Sequence, residues 1–319
     1  MRTDSVQNKT MNSLQRCELA ALCPTIRWNV EMAVYSTFRT GGMVEAMVDI
    51  NAIDELAAVL QYLHREQISW NVVGGGSNIL VARRYHEGVF IRLRGSVQEI
   101  VSEPVRITGG DRCRVQVHAG CNLGALLGWC VRNNLSGLEF MAGIPGSVGG
   151  AIRMNAGAFG HVISEALFCI QTMDSLGNQA EVAKEEAIFS YRSSCFPGES
   201  AGRLLITGGV FCLQPDDGRQ VAARCREIVD RRRNKQPKGV GSAGSFFKNP
   251  EGDFAGRLIE QAGLKGLRCG KAMVSPKHAN FIVNTGGAAP GDIIGLMEEV
   301  QQQVFRHSGV LLEPEVHIY

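Results

Sequence analysis

The chain has 319 residues, 45 % of them apolar, and a formal net charge of +2. That length builds two or three packed units with a sizeable core, and the balanced charge leaves no basic field for nucleic acid and no acidic solvating tail. No apolar run reaches transmembrane length, and the N-terminus lacks the apolar stretch of a signal peptide.

Taken in order, residues 1–25 are polar and turn-rich and read as a loose N-terminal extension. "DELAAVLQYLHRE" (54–66) has apolar positions at helical spacing behind acidic residues and predicts a helix. "WNVVGGGSNILV" (70–81) is two short apolar runs around a glycine loop, and "GVFIRLRG" (88–95) alternates like a strand. "VRITGGDRCRVQVHAG" (105–120) reads as two strands joined by a "GGD" turn. "NLGALLGWCVRNN" (122–134) predicts a helix, and 137–160 is a glycine-dense loop. "LFCIQTMDSLGNQAEV" (167–182) reads as a hairpin and "GRLLITGGVFCLQP" (202–215) as a strand. Residues 219–237 form a helix with a basic end, where cations suit the dipole. A helix at 253–263, a strand at 278–284, a long helix at 290–309 and a last strand over "VLLEPEVHIY" complete the chain. The fold class is mixed α+β, with no regular βαβ repeat.

Ten cysteines are dispersed without CxxC or zinc-site spacing. They read as small core residues of a reducing, cytoplasmic compartment, and no metal site is expected.

Two glycine-rich loops carry most of the signal. "GGGSN" spans Gly74, Gly75, Gly76, Ser77 and Asn78. "GIPGSVGGAIRMNAGAFG" runs from Gly143 to Gly160. Glycines let backbone amides approach a ligand, and successive amides form nests for a pyrophosphate. Neither loop is a Walker A motif or a Rossmann fingerprint. Together they point to a large phosphate-bearing ligand held outside a Rossmann frame.

With these loops, "STFRTGG" (36–42), "GLEFMAGIPGSVGGAIRMNAGAFG" (137–160), "YRSS" (191–194), "GSAGSFFKNP" (241–250), "AGLKG" (262–266), "SPKHANFIVN" (275–284) and "LEPEV" (312–316) occur in one order. The ordered set closely resembles the UDP-N-acetylenolpyruvoylglucosamine reductases, from about residue 26 to the end. The short spacing between Arg192 and Ser245 resembles the family's shorter subclass. The resemblance implies a two-part FAD-binding domain of the vanillyl-alcohol-oxidase (PCMH) type, with subdomains at 26–100 and 101–215. A smaller α+β substrate-binding domain would follow at 216–319, its C-terminal strand reaching the flavin site.

It also implies FAD, NADPH as reductant and a soluble nucleotide-sugar substrate. Neither "GGGSN" nor "GIPGSVGG" holds a histidine or cysteine for a covalent link, so noncovalent FAD is expected, in a monomer with no nucleic-acid or membrane partner. Arg192 would hold the developing enolate, Ser245 would donate the proton, and Glu315 would lie beside the reacting carbon. Arg39, Thr40, Gly41, Gly74, Gly75, Gly76, Ser77, Asn78, Gly143, Ile144, Pro145, Gly146, Gly149, Gly150, Asn155 and Gly157 would bind the cofactor. Lys235, Lys248 and Asn249 are candidates for the substrate's diphosphate and sugar, while Tyr191 either hydrogen-bonds substrate or packs. His278 reads as structural. Another oxidase or dehydrogenase of the same flavin fold would not need the Ser245–Glu315 pair. A flavin- or nucleotide-binding protein without turnover would need none of the three catalytic candidates. Two departures stand out: Phe159 where the family often has tyrosine, and His317 where arginine commonly follows "LEPEV".

Overall fold

The computed structural model describes residues 10–94, 100–106, 112–200 and 202–319. The expected "GGD" turn at 109–111 lies outside them. The chain forms two compact units built from non-consecutive segments. The first comprises residues 1–28, 45–74 and 87–230, and the second 29–44, 75–86 and 231–319.

In the first unit a six-stranded sheet runs in the order Gln179–Ala183, Leu167–Asp174, Leu204–Pro215, Cys113–His118 and Ile100–Arg106, with Leu135–Ser136 beside the end of the long strand. Its described pairings are antiparallel. Cys113, Val115 and Val117 are buried while Arg114, Gln116 and His118 are not fully so. This period of two sends one sheet face into the core. Trp70–Val72 pairs in parallel with Tyr85–Leu93. The helix Ile53–Arg65 buries Leu56, Val59, Leu60 and Leu63, one stripe at helical spacing. Asp54 and Glu55 open it and His64 and Arg65 close it, as the dipole favours.

The start of this unit departs from the loose extension expected. Ser13–Leu22 is a helix, with Asn12 and Gln15 forming a reciprocal capping box. The fully buried Glu45 carboxylate draws the segment in. It accepts from Met11 N at 2.8 Å, Arg16 Nη2 at 2.9 Å and Gly88 N at 3.0 Å. A buried carboxylate demands such donors. The glycine-dense loop also holds an unexpected short helix, Val148–Arg153, capped by Ser147.

In the second unit the helix Pro290–Ser308 buries Ile293, Leu296, Met297, Val300 and Val304. It ends at Gly309, whose φ of 72° closes the last turn in the left-handed region. A small antiparallel sheet of Arg268–Cys269, Ala272–Val274 and Ile282–Asn284 belongs to the same unit. Phe38, Phe246, Phe247, Leu258 and Leu312 share its core. The last strand is shorter than the sequence suggests. Pro314 bridges to Phe247, and only His317–Ile318 pairs with Ile79–Leu80, in parallel. The bonds of that bridge run through Glu313 O and Glu315 N, so the missing N–H of Pro314 is not needed there.

Candidate active site

Ser245 and Glu315 are brought together by the backbone. The segment after Ser245 lies against the "LEPEV" segment: Glu315 N donates to Phe246 O and Lys248 N to Glu313 O, both at 2.8 Å. The buried Phe246 and Phe247 anchor this pairing. Asn280 locks it from the other side, accepting from Phe247 N at 2.9 Å and donating to Phe247 O at 2.8 Å. Asn78 Nδ2 donates to Glu315 O at 3.0 Å, and His317 N to Asn78 O at 3.0 Å. Part of the "GGGSN" loop therefore sits directly on the catalytic candidate's own backbone.

Ser245 opens on a cavity of about 460 Å³. Asn249, Phe254, Arg257, Glu260, Lys265, Lys277 and His278 also line it. Asn249 Oδ1 accepts from Ala255 N at 3.1 Å, which fixes the amide at the start of the helix Ala255–Gln261. Arg257 is bonded to Asp253, Nε to Oδ1 at 2.6 Å, and this bond holds the half-buried Asp253 below the usual carboxylate range. Lys265 pairs with Glu260, and Lys277 Nζ donates to Arg233 O at 2.8 Å. Burial, then the Lys265 charge, keeps the His278 imidazole below its ordinary pKa. Its Nδ1 accepts from Asn280 N at 3.3 Å, so Nε2 carries the hydrogen of the neutral ring. The sequence reading assigned no role to Arg257, Lys265 or Lys277. The "AGLKG" and "SPKHANF" motifs were the available signal.

Lys248 Nζ is 3.5 Å from Glu313, and Lys235 is the last residue of the helix Gly218–Lys235. Thr40 is buried and its hydroxyl donates to Ala288 O at 2.6 Å. Arg39 Nη1 donates to Gly239 O at 3.2 Å. The side chains of Arg39 and Thr40 therefore brace the second unit internally.

Tyr191 and Arg192 lie in the first unit, at the two-residue tip joining Ile188–Ser190 to Ser193–Cys195. Arg192 Nη2 donates to Gly157 O at 3.1 Å, and its guanidinium lies 5.2 Å from the Tyr191 ring centroid. The Asn155 side chain is engaged with Ser190 and Ser164.

The glycine segment 143–150 fits a diphosphate-bearing cofactor. Val148, Ala151 and Ile152 are buried, whereas Gly143, Pro145 and Gly150 are exposed. Apolar side chains thus anchor the segment, together with Val148 N and Gly149 N, which donate to Cys121 O and Ala119 O at 2.9 Å, and the exposed glycines leave no side chain in a ligand's way. A Cβ at Gly74 would run into Ser147 Oγ, and one at Gly76, where φ is 64°, into the Tyr35 carbonyl. Glycine is required at Gly76 by its backbone, while at Gly74 a side chain would force the Ser147 hydroxyl to turn away.

Residues 44–180 match an FAD-binding domain family, and residues 236–319 match the family described as UDP-N-acetylenolpyruvoylglucosamine reductase, C-terminal domain. The UDP-N-acetylenolpyruvoylglucosamine reductase of Carboxydothermus hydrogenoformans is 40 % identical over 290 residues, covering 91 % of this chain and 92 % of that protein. The chain belongs to the UDP-N-acetylenolpyruvoylglucosamine reductase family. The Alkalilimnicola ehrlichii member is 41 % identical over 288 residues, covering 90 % and 92 %. The crystal structure of the Thermus caldophilus reductase superposes with a TM-score of 0.77 at 34 % identity, over 92 % of this chain and 99 % of that one. The chain is thus an FAD-dependent oxidoreductase of α+β fold that reduces UDP-N-acetylenolpyruvoylglucosamine for peptidoglycan precursor synthesis, with NADPH as reductant. Among the described residues no helix is long and apolar enough to cross a membrane.

Proposed function

We propose that Arg192, Ser245 and Glu315 carry this reduction. The redox chemistry that bound FAD supplies is hydride transfer from NADPH to the enolpyruvyl methylene carbon. Negative charge then develops on the adjacent carbon and its carboxylate, so the site needs a cation and an acid. The Arg192 guanidinium holds the carboxylate and the growing charge. Ser245 Oγ donates its proton to the carbanion carbon. A hydroxyl is a weak acid, but a carbanion is a strong base and the position is fixed. Glu315 lies beside the same carbon. The observation that carries this reading is the backbone pairing of the Ser245 segment with Glu313–Glu315, at a cavity bearing Arg257, Lys265 and Lys277.

Lys235, Lys248 and Asn249 hold the diphosphate and sugar, and Tyr191 borders the substrate. FAD is held, without a covalent bond, by the glycine segments at 74–78 and 143–150 and by Gly157, with Gly41, Gly149 and Gly150 allowing close approach and Arg39 and Thr40 bracing the second unit. The ten free cysteines support a reducing cytoplasm, where the enzyme acts as a monomer whose product feeds wall growth, cell shape and division.

The test is Ser245→Ala. The variant keeps FAD, and NADPH reduces it at the parent rate, because neither step uses the hydroxyl. Reoxidation by the enolpyruvyl nucleotide slows by about 10²–10⁴-fold, the scale of a lost general acid, with little change in affinity. Turnover within a few-fold of the parent, or loss of FAD, makes Ser245 a turn residue.

A further inference from the structure

The tip that carries Tyr191 and Arg192 has little stability of its own. Its strands are three residues each, paired Ile188–Cys195, Phe189–Ser194 and Ser190–Ser193, and a two-stranded hairpin is marginal in isolation. The loop conformation is also unfavourable. Twist-matched two-residue hairpins need a positive φ at the first loop position. Here only the second residue has one, Arg192 at 57°. A left-handed non-glycine residue costs about 1–2 kcal/mol and persists where its surroundings over-determine it.

Those surroundings are the chain at 153–157. Asn155 is 5 % exposed, and its Nδ2 donates to Ser190 O at 3.1 Å, the residue just before the tip. Its Oδ1 accepts from Ser164 N at 3.4 Å, so the amide is held at both ends. Asn155 is itself left-handed, at φ 39°, a conformation Asn tolerates better than most residues. Gly157 O receives Arg192 Nη2 two residues on. Ser194 Oγ donates to Arg153 O at 3.0 Å, clamping the far strand to the same segment.

We infer that Asn155 is a positioning residue for Arg192: its side-chain amide fixes the Tyr191–Arg192 tip, and through it the guanidinium that meets the substrate. This rests on the role given to Arg192 above. It also gives the asparagine of the "NAGAFG" motif a task on the substrate side of the reaction, separate from holding cofactor.

The experiment uses the FAD-loaded enzyme with Asn155→Gly, Asn155→Asp, Arg192→Ala and the double variant Asn155→Gly/Arg192→Ala. Glycine keeps the left-handed backbone and removes the amide. Aspartate keeps the shape and sets a carboxylate against the Ser190 carbonyl. Both single Asn155 variants should retain FAD and be reduced by NADPH within two-fold of the parent. Their reoxidation by the enolpyruvyl nucleotide should slow by about 10–100-fold, the effect of misplacing a group by about an ångström. Amide exchange over 188–195 should quicken in both. In the Arg192→Ala background Asn155→Gly should add no more than two-fold, because the residue it positions is gone. A full additive loss in that background overturns the inference, as does loss of FAD from both Asn155 variants or unchanged reoxidation. If Arg192→Ala itself leaves reoxidation unchanged, the role of Arg192 fails and this inference with it. If Arg192→Ala is slow and Asn155→Gly is not, only this inference fails.

Discussion

His317 is exposed, and its backbone is fixed by pairing with Ile79 and by the bond from its N–H to Asn78 O. Its side chain stands two residues beyond Glu315, where arginine is common in the family. Arginine stays charged across the whole physiological range, whereas histidine is the side chain that changes charge near neutrality. An anionic substrate reaching this position is therefore met by a cation only on the acid side. The expected result is a substrate KM that rises between pH 6 and 8.5 in the parent and stays flatter in His317→Arg. Superimposable profiles would show that this side chain does not face substrate. Serine and aromatic identities at 245–247 were legible as a motif. The cations around Ser245 were not, because Arg257, Lys265 and Lys277 are ordinary surface residues until the fold turns them onto one cavity.

Elements with strong local signals appear where the sequence places them. The helix Pro290–Ser308 has an apolar stripe, a proline in its first turn and a glycine stop, and the helix Ile53–Arg65 is nearly as plain. The misses share a cause, which is dependence on distant partners. Ser13–Leu22 has a short polar sequence and one buried residue, Leu19. It is held by Arg16 and Met11 on Glu45, and by the Tyr62 hydroxyl, which donates to Gln15 O at 2.9 Å. Val148–Arg153 is rich in glycine, a poor helix former, and persists because Val148, Ala151 and Ile152 are buried. The N-terminal helix gives a direct check. Arg16→Ala removes the charged donor from Glu45 but leaves the two backbone donors. It should cost about 1–3 kcal/mol, the scale of under-satisfying a buried acceptor, read as a lower urea midpoint. Amides 13–22 should exchange faster. An unchanged midpoint would mean that Glu45 does not need this helix.

At the scale of the whole molecule, neither unit is a continuous stretch of chain. The second draws residues 29–44 and 75–86 into the same body as 231–319. The residues matching the reductase C-terminal domain, 236–319, are therefore only part of what folds there. Phe38 and Leu80, both fully buried, belong to the core built around Phe246, Leu258, Leu296 and Val316. Main-chain and side-chain bonds add to this: Thr37 Oγ1 donates to Ser242 O at 2.7 Å, Asn284 Nδ2 to Phe38 O at 2.9 Å, and Tyr319 N to Leu80 O at 2.9 Å. A fragment of residues 231–319 would lose a buried aromatic and a buried leucine from a small core. Truncating one such side chain alone costs about 2–5 kcal/mol, and a fragment under 100 residues has little margin to absorb two such losses. The Ser245 segment would also lose Asn78, the donor that holds Glu315 from outside this fragment. The isolated fragment should therefore lack a cooperative thermal transition and show fast amide exchange at 282–284 and 293–304. A chain joining 29–44 and 75–86 to it through short linkers should recover that transition. A cooperative melt of the bare fragment would show that its own apolar residues suffice, and that Phe38 and Leu80 merely cover a core already formed.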